Sequence, residues 1–301
     1  DLHVAQYFGV ERAAEFLTSH SQDQALAMLK GQTKIPAVYQ DALAQARALY
    51  EEKRFFHWDL EFPEVFIDLE NTKWKEDGGF DTVIGNPPYV SAWSMFESDT
   101  DIRDSIVESI SNSEILDAHW DMYIPFLIKA YELTRWHGRF AYIIPNPFTR
   151  EKYATDIRKF MLENTRIENV LSFGEENVFG EVSRQTLVPV FEKNQPDLDS
   201  QIIHIDTPTR QNSLQGLFQR EIPQRVFYEL PGYQIRHEVN PVQFNVLDKI
   251  DALSIKLGNL CYVNYGAQVS SKQKDEYTKS DVVSSSPLGN AKPFFEGKDL
   301  S

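Results

Sequence analysis

Cysteine is almost absent: Cys261 stands alone in 301 residues, which excludes a disulfide framework and any zinc module built on several thiolates. Basic residues are in the minority, 30 Lys and Arg against 45 Asp and Glu, for a net charge of −15. That balance excludes a histone-like binder held to phosphates by global positive charge, but it leaves room for a local basic groove on an acidic body. No apolar run approaches the roughly 18–20 residues of a membrane span. The longest, Tyr123–Ile128 and Phe140–Pro145, are core-sized, so no membrane partner is expected. The seven histidines show neither HxxxH nor HExxH spacing, and no metal site is expected. There is no Gly-x-x-x-x-Gly-Lys loop and no Gly-x-Ser-x-Gly elbow, so nucleotide hydrolysis and serine esterase chemistry lack support. The chain opens Asp-Leu-His, with neither Met nor a basic-then-apolar leader. A soluble cytoplasmic chain, itself part of a longer protein, is the expectation.

What is present is 42% apolar and 13% aromatic residues, the profile of a packed globule of one large or two modest domains. Asp1 to about Arg54 reads as helical, punctuated by Gly9, Gly31 and Pro36. Ala25, Met28 and Leu29, then Ala42, Ala46 and Leu49, follow amphipathic spacing. Phe55–Phe66 is dense in aromatics and acids without helical period. Asp77-Gly78-Gly79 signals a turn, and Phe80–Gly85 reads as a short buried strand running into Asn86-Pro87-Pro88-Tyr89. Helices are expected over Asp117–Thr134, ended by His137-Gly138, and over Arg150–Asn164. Strands are expected over Arg139–Ile144, Ile167–Phe173 and Thr186–Phe191. This alternation is the rhythm of a parallel α/β sheet. It lapses from about Pro196; Val242–Lys256 offers one more helix, and the tail is turn-rich.

In an open parallel sheet, ligands bind beyond the carboxyl ends of the strands, where Asn86-Pro87-Pro88-Tyr89 falls. Two consecutive prolines remove two backbone donors and fix φ near −65°. The loop therefore offers carbonyl acceptors, to which Asn86 adds another and Tyr89 a flat aromatic face. Such a set suits a planar substrate bearing an amino group. That amine is a poor nucleophile because its lone pair is delocalised into the ring. Accepting both N–H bonds, at Asn86 Oδ1 and the Pro87 carbonyl, pushes the lone pair toward attack. The bonds strengthen as positive charge builds on nitrogen, so they favour the transition state.

Phe80-Asp81-Thr82-Val83-Ile84-Gly85-Asn86-Pro87-Pro88-Tyr89 resembles motif IV of the adenine-N6 DNA methyltransferases. Phe56–Phe66 resembles the stretch before that motif in Type IIG restriction–modification and phage-defence enzymes. Asp121-Met122-Tyr123 and Gly138–Pro145 resemble the helix and strand that follow, and Ile167–Phe173 with Val178-Phe179 resembles motif VIII. Ala291–Leu300 resembles a segment early in the Taq-type recognition domain. The resemblance implies a partial Rossmann-like α/β sheet, with Asn86, Pro87, Pro88 and Tyr89 as the catalytic loop. Tyr89 and Phe179 would stack on a flipped adenine, and Asp59 would help position cofactor or base. S-adenosyl-L-methionine is the implied methyl donor and double-stranded DNA the implied partner, with direct in-line transfer. The family's Gly-rich cofactor loop has no counterpart, since no Gly-x-Gly occurs. The implied organisation is a helical spacer (1–54), the catalytic half (55–195), a connector (196–244) and the start of a target-recognition domain (245–301). A missing N-terminal cofactor half or a partner subunit would then complete the site.

Plainer readings stand beside these. Residues 59–70 hold five acids and no base, which fits a solvated edge for Asp59. Phe179 reads equally as a core aromatic, Asp121 as a helix N-terminal charge, and Asn146-Pro147-Phe148 as a plain turn. Residues 139–166 carry six bases (Arg139, Arg150, Lys152, Arg158, Lys159, Arg166) against Glu151, Asp156 and Glu163, a net +3 that suits phosphate contacts or a solvated helix face. Lys272, Lys274 and Lys279, with Tyr262, Tyr265 and Tyr277, could begin a base-reading surface. Two other functions remain: a non-catalytic DNA-binding or assembly fragment, and a protein-glutamine methyltransferase, since release-factor methyltransferases share the Asn-Pro-Pro-Tyr loop. Adenine methylation of RNA shares it as well.

Overall fold

The computed structural model describes residues 2–91, 95, 100–116, 120–173, 185–198, 201–206 and 220–237, with scattered positions between 246 and 255. Two units divide at Pro241/Val242, and the described architecture belongs to the first.

Helices α1 (Leu2–Ala5), α2 (Glu11–Ser19), α3 (Gln22–Leu29) and α4 (Ala37–Lys53) form the N-terminal part, as the composition predicts. Ser21 caps α3 through a reciprocal box with Gln24, satisfying donors that would otherwise be orphaned. Small side chains set the packing: Ala5, Val10, Ala13, Ala42 and Ala46 form one buried cluster, and Phe16, Ala25 and Tyr39 a second. Short helices α5 (Trp58–Glu61) and α6 (Pro63–Phe66) follow, then a small ribbon of β1 (Ile67–Asp68) and β2 (Lys73–Trp74).

A second sheet has the order β3-β4-β7-β6-β8-β9, with β5 paired to β7. Its strands are β3 (Phe80–Gly85), β4 (Thr134–Tyr142), β5 (Ile144–Pro145), β6 (Arg166–Ser172), β7 (Thr186–Glu192), β8 (Ile202–Asp206) and β9 (Arg220–Pro223). The pairing β3–β4 is parallel, with Gly85 opposite Tyr142. β7 corrects the expectation of an all-parallel sheet, because it runs antiparallel between β4 and β6. A strand reached directly from its neighbour's end needs no crossover, and its apolar pattern is the same in either direction. β3, β4, β6 and β8 run one way, β7 and β9 the other.

The helices α7 (Thr100–Ser109), α8 (Tyr123–Leu133), α9 (Thr155–Asn164) and α10 (Gln224–Glu229) complete this unit. α8 ends four residues before His137-Gly138, the stop expected from sequence. Its last carbonyls are met early: the Thr134 hydroxyl donates to Ala130 O (2.7 Å), and Lys193 Nζ donates to Tyr131 O and Thr134 O (2.8 Å each). β4 therefore starts at Thr134. α9 is likewise shorter than expected, preceded by 3-10 turns at Asn146–Thr149 and Lys152–Ala154. Phe140 and Phe191 stack across β4 and β7 with centroids 5.0 Å apart, at the centre of a core that includes Ile144, Phe148, Ile167 and Leu187.

Where the sequence rhythm lapses, β8, β9 and α10 extend the sheet. Buried Gln224 locks them in place: its amide nitrogen donates to Leu162 O and Thr165 O, and its oxygen accepts from Ile167 N (3.0 Å). No helix among the described residues is long and apolar enough to cross a membrane, and no cluster of three or more metal-ligating side chains occurs among them.

Candidate functional site

Asn86-Pro87-Pro88-Tyr89 leaves the carboxyl end of β3. The sequence there dictates the exit. Gly85 lies so close to Tyr142 that a Cβ would come within 2.9 Å of its ring, and the prolines cannot continue the ladder. Pro87 is buried, Tyr89 half-buried, and Asn86 and Pro88 are exposed.

The loop is tied to the next strand end at several points. Ile143 N donates to Gly85 O (3.2 Å), and the Tyr89 hydroxyl donates to Ile143 O (3.2 Å). Farther along, Met122 N donates to Val90 O (2.8 Å), and Ser91 bridges Asp121 in antiparallel fashion. Asp121 then accepts from the Tyr153 hydroxyl at 2.8 Å, and the Tyr123 hydroxyl donates toward Tyr153 at 3.4 Å. Burial pushes the Tyr123 and Tyr153 phenols well above their usual range, so both stay protonated as donors.

The carboxyl ends of β4, β5 and β6 lie at the same end of the sheet as this loop. Beyond β5, Asn146 N donates to Gln185 O (2.9 Å), and Asn146 Nδ2 donates to Gln185 Oε1 (3.1 Å). At the end of β6, Ser172 shares a 2.8 Å hydrogen bond with buried His237. Burial, with Arg150 and Arg220 nearby, holds the imidazole below its ordinary pKa, against the Ile235 carbonyl. A cavity of about 460 Å³ opens at the edge, lined by Asp121, Asn146, Pro147, Arg150, Glu151 and Gln185 among others.

The structure thus gathers Asn86, Pro87, Pro88 and Tyr89 with Asp121 and Asn146, both of which also read as plain turn or cap residues. Gln185 is an addition that sequence reasoning missed, because a lone polar residue before a strand carries no signal. Phe179 lies outside the described residues. Asp59 is elsewhere. Its neighbours Trp58 and Phe62 pack on Phe80, with centroids 5.7 and 5.4 Å apart, at the opposite end of β3. Phe80 precedes Asn86 by roughly 20 Å of strand. The tail lysines and tyrosines and Ala291–Leu300 also lie outside the described residues.

The basic stretch 139–166 is only partly available for phosphates. Arg139 makes a bidentate pair with Glu168 (2.8 and 2.9 Å), which holds the Glu168 carboxyl below its usual range. Arg158 is 1% exposed and donates to Phe148 O, Glu151 O and Gly232 O.

Residues 12–179 match the family described as Eco57I restriction-modification methylase, and the chain belongs to that family. Among curated relatives, the Type II methyltransferase M.HincII of Haemophilus influenzae is 28% identical over 141 residues, 46% of this chain and 27% of that protein. The Type II restriction enzyme and methyltransferase RM.Eco57I of Escherichia coli is 25% identical over 118 residues, 39% of this chain and 12% of that protein. The chain therefore spans about a quarter or less of the length of these relatives. Solved structures show a distant likeness. The type IIG restriction endonuclease BpuSI has 17% identity and a TM-score of 0.39, covering 57% of this chain and 22% of that one. A type I restriction-modification methyltransferase subunit from Streptococcus thermophilus has 24% identity and a TM-score of 0.32, covering 44% and 27%.

Proposed function

We propose that this methylase-family chain carries the amine-holding part of an adenine-N6 DNA methyltransferase of a restriction–modification or phage-defence system. The observation that carries the reading is the acceptor loop Asn86–Tyr89, tethered through Tyr89 to Ile143 at the carboxyl end of two parallel strands. Asn86 Oδ1 and the Pro87 carbonyl accept from the amino group of a base flipped out of duplex DNA. Tyr89 stacks on that base, with Phe179 its partner on the other side. A base–aromatic stack contributes about 1–3 kcal/mol, comparable to the cost of unstacking one nucleotide. As the amine becomes positive, both hydrogen bonds strengthen, which lowers the barrier rather than merely tightening binding.

S-adenosyl-L-methionine is the methyl donor this reading calls for, and family membership supports it. The described residues do not fit a complete site for it. They contain no Gly-x-Gly turn, and Asp59 lies at the far end of β3 from the loop. The donor site therefore comes from another segment or a partner subunit. Among the described residues β3 ends the strand order, and Ile84, one residue before its end, is 77% exposed, which supports a further layer joining there. The divisions 1–54, 55–195, 196–244 and 245–301 remain our proposed organisation.

In the assembled enzyme, Asn86→Ala or Pro87→Gly abolishes transfer of labelled methyl to DNA while DNA binding survives. Near-normal turnover in either variant refutes the role given to the loop. Label recovered in protein glutamine instead of N6-methyladenine would move the function to the release-factor class.

A further inference from the structure

The cavity beside the loop has no task in the account so far. Its polar lining holds two neutral amides, Asn146 and Gln185, beside the carboxylates Asp121 and Glu151, the guanidinium of Arg150 and the Thr149 hydroxyl. Amides match the mixed donor and acceptor edge of a base. The amides are also held in place. Asn146 grips Gln185 by two hydrogen bonds, backbone to backbone and amide to amide, at 2.9 and 3.1 Å. The Thr149 hydroxyl fixes the Asn146 turn from below, donating to Asn146 O at 2.8 Å. With Gln185 Oε1 accepting from Asn146 Nδ2, Gln185 Nε2 is left as a donor. Gln185 Nε2 makes no hydrogen bond among the described residues.

The cavity abuts the loop through two walls already described. Asp121 is bridged to Ser91, two residues beyond Tyr89, and Asn146 lies three residues beyond the Ile143 carbonyl that Tyr89 binds.

Resting on the adenine reading, we infer that Gln185 is a specificity-determining residue that donates Nε2–H to a ring nitrogen flanking the amino group of the flipped adenine. Asn146 is its positioning residue. Adenine offers unprotonated acceptors on both sides of its amino group. On the N1 side guanine, and at N3 thymine, carry a ring N–H beside a keto oxygen, so a donor fixed there rejects them; on the N7 side guanine keeps the same acceptor, and only the loop acceptors, which its keto oxygen cannot serve, exclude it. The loop acceptors thus select for an amino group, and Gln185 selects for the ring nitrogen beside it.

The test measures binding of 2′-deoxyadenosine and its 1-deaza and 7-deaza analogues to this chain by titration NMR, with thymidine as control. The wild type is expected to bind deoxyadenosine about five- to tenfold more tightly than one of the deaza analogues, the worth of one neutral hydrogen bond. Gln185→Leu and Gln185→Glu should bind deoxyadenosine as weakly as the wild type binds that analogue, and should no longer tell the two apart. Asn146→Ala should lose part of the discrimination. If Gln185→Leu keeps the wild-type preference, or the wild type ignores both ring nitrogens, the inference fails. In that case a loss of deoxyadenosine binding in Asn86→Ala leaves the adenine reading standing. If deoxyadenosine binds no better than thymidine and Asn86→Ala changes nothing, both fail together.

Discussion

The guanidinium of Arg158 donates to the carbonyls of Phe148, Glu151 and Gly232, joining the turn beyond β5, the cap of the Lys152–Ala154 turn and the Pro231–Tyr233 turn at one point. In the sequence it is one of six bases in a stretch of positive charge and reads as a phosphate contact or part of a solvated helix face. Charge counting cannot separate a buried clamp from a surface cation, because the distinction depends on carbonyls up to 74 positions away. Replacing it by methionine keeps the volume and removes the donors, leaving several buried carbonyls unpaired. Arg158→Met should therefore lose about 3 kcal/mol or more in urea unfolding. A loss below about 1 kcal/mol would contradict the clamp. The position of the Asn86–Tyr89 loop at a strand's end was legible for the opposite reason. Consecutive prolines and an adjoining strand are local features that do not wait on distant partners. Gln185 and Asn146 become neighbours only when β5 and β7 pair.

At the scale of elements, the bounds of β3 read correctly from sequence because they are chemical, Gly78-Gly79 before it and Pro87-Pro88 after it, but the strand expected to be buried is half-buried only at Phe80 and Val83 and otherwise exposed. Gly79 has a φ of +145°, and a Cβ there would lie 2.5 Å from Arg135 N and 2.8 Å from Thr134 C. The contact is with backbone, which cannot step aside. Gly79→Ala should cost about 2 kcal/mol or more, seen as a lowered urea midpoint at unchanged slope. A variant as stable as the wild type would contradict the close passage of the β3 entrance past the start of β4. The direction of β7 was not legible, since Thr186–Glu192 is apolar on alternate and intervening positions alike and is buried or half-buried throughout. β8 and β9 escaped notice for want of length: four or five residues, the second ending in proline, carry too little pattern. Their place in the sheet is set by Gln224 and by pairing, neither of which is a local property.

At the scale of the whole molecule, the loop-bearing strand β3 stands at one end of the strand order among the described residues. Ile84 stands open on β3, and the exposed Leu60, Trp58 and Phe56 belong to the segment that packs around Phe80 at the strand's start. An apolar edge of this kind is an invitation to pairing that folded proteins usually cover. It accords with a division of labour in which this chain holds the amine and another part holds the methyl donor. The absence of any Gly-x-Gly turn in the sequence is the other ground for proposing that division. The measurement that bears on it most directly is calorimetric titration of S-adenosyl-L-methionine, and of its demethylated product, into this chain alone. The account predicts no detectable heat of binding for either compound. Micromolar binding would contradict it, and would mean that these 301 residues contain a donor site of their own.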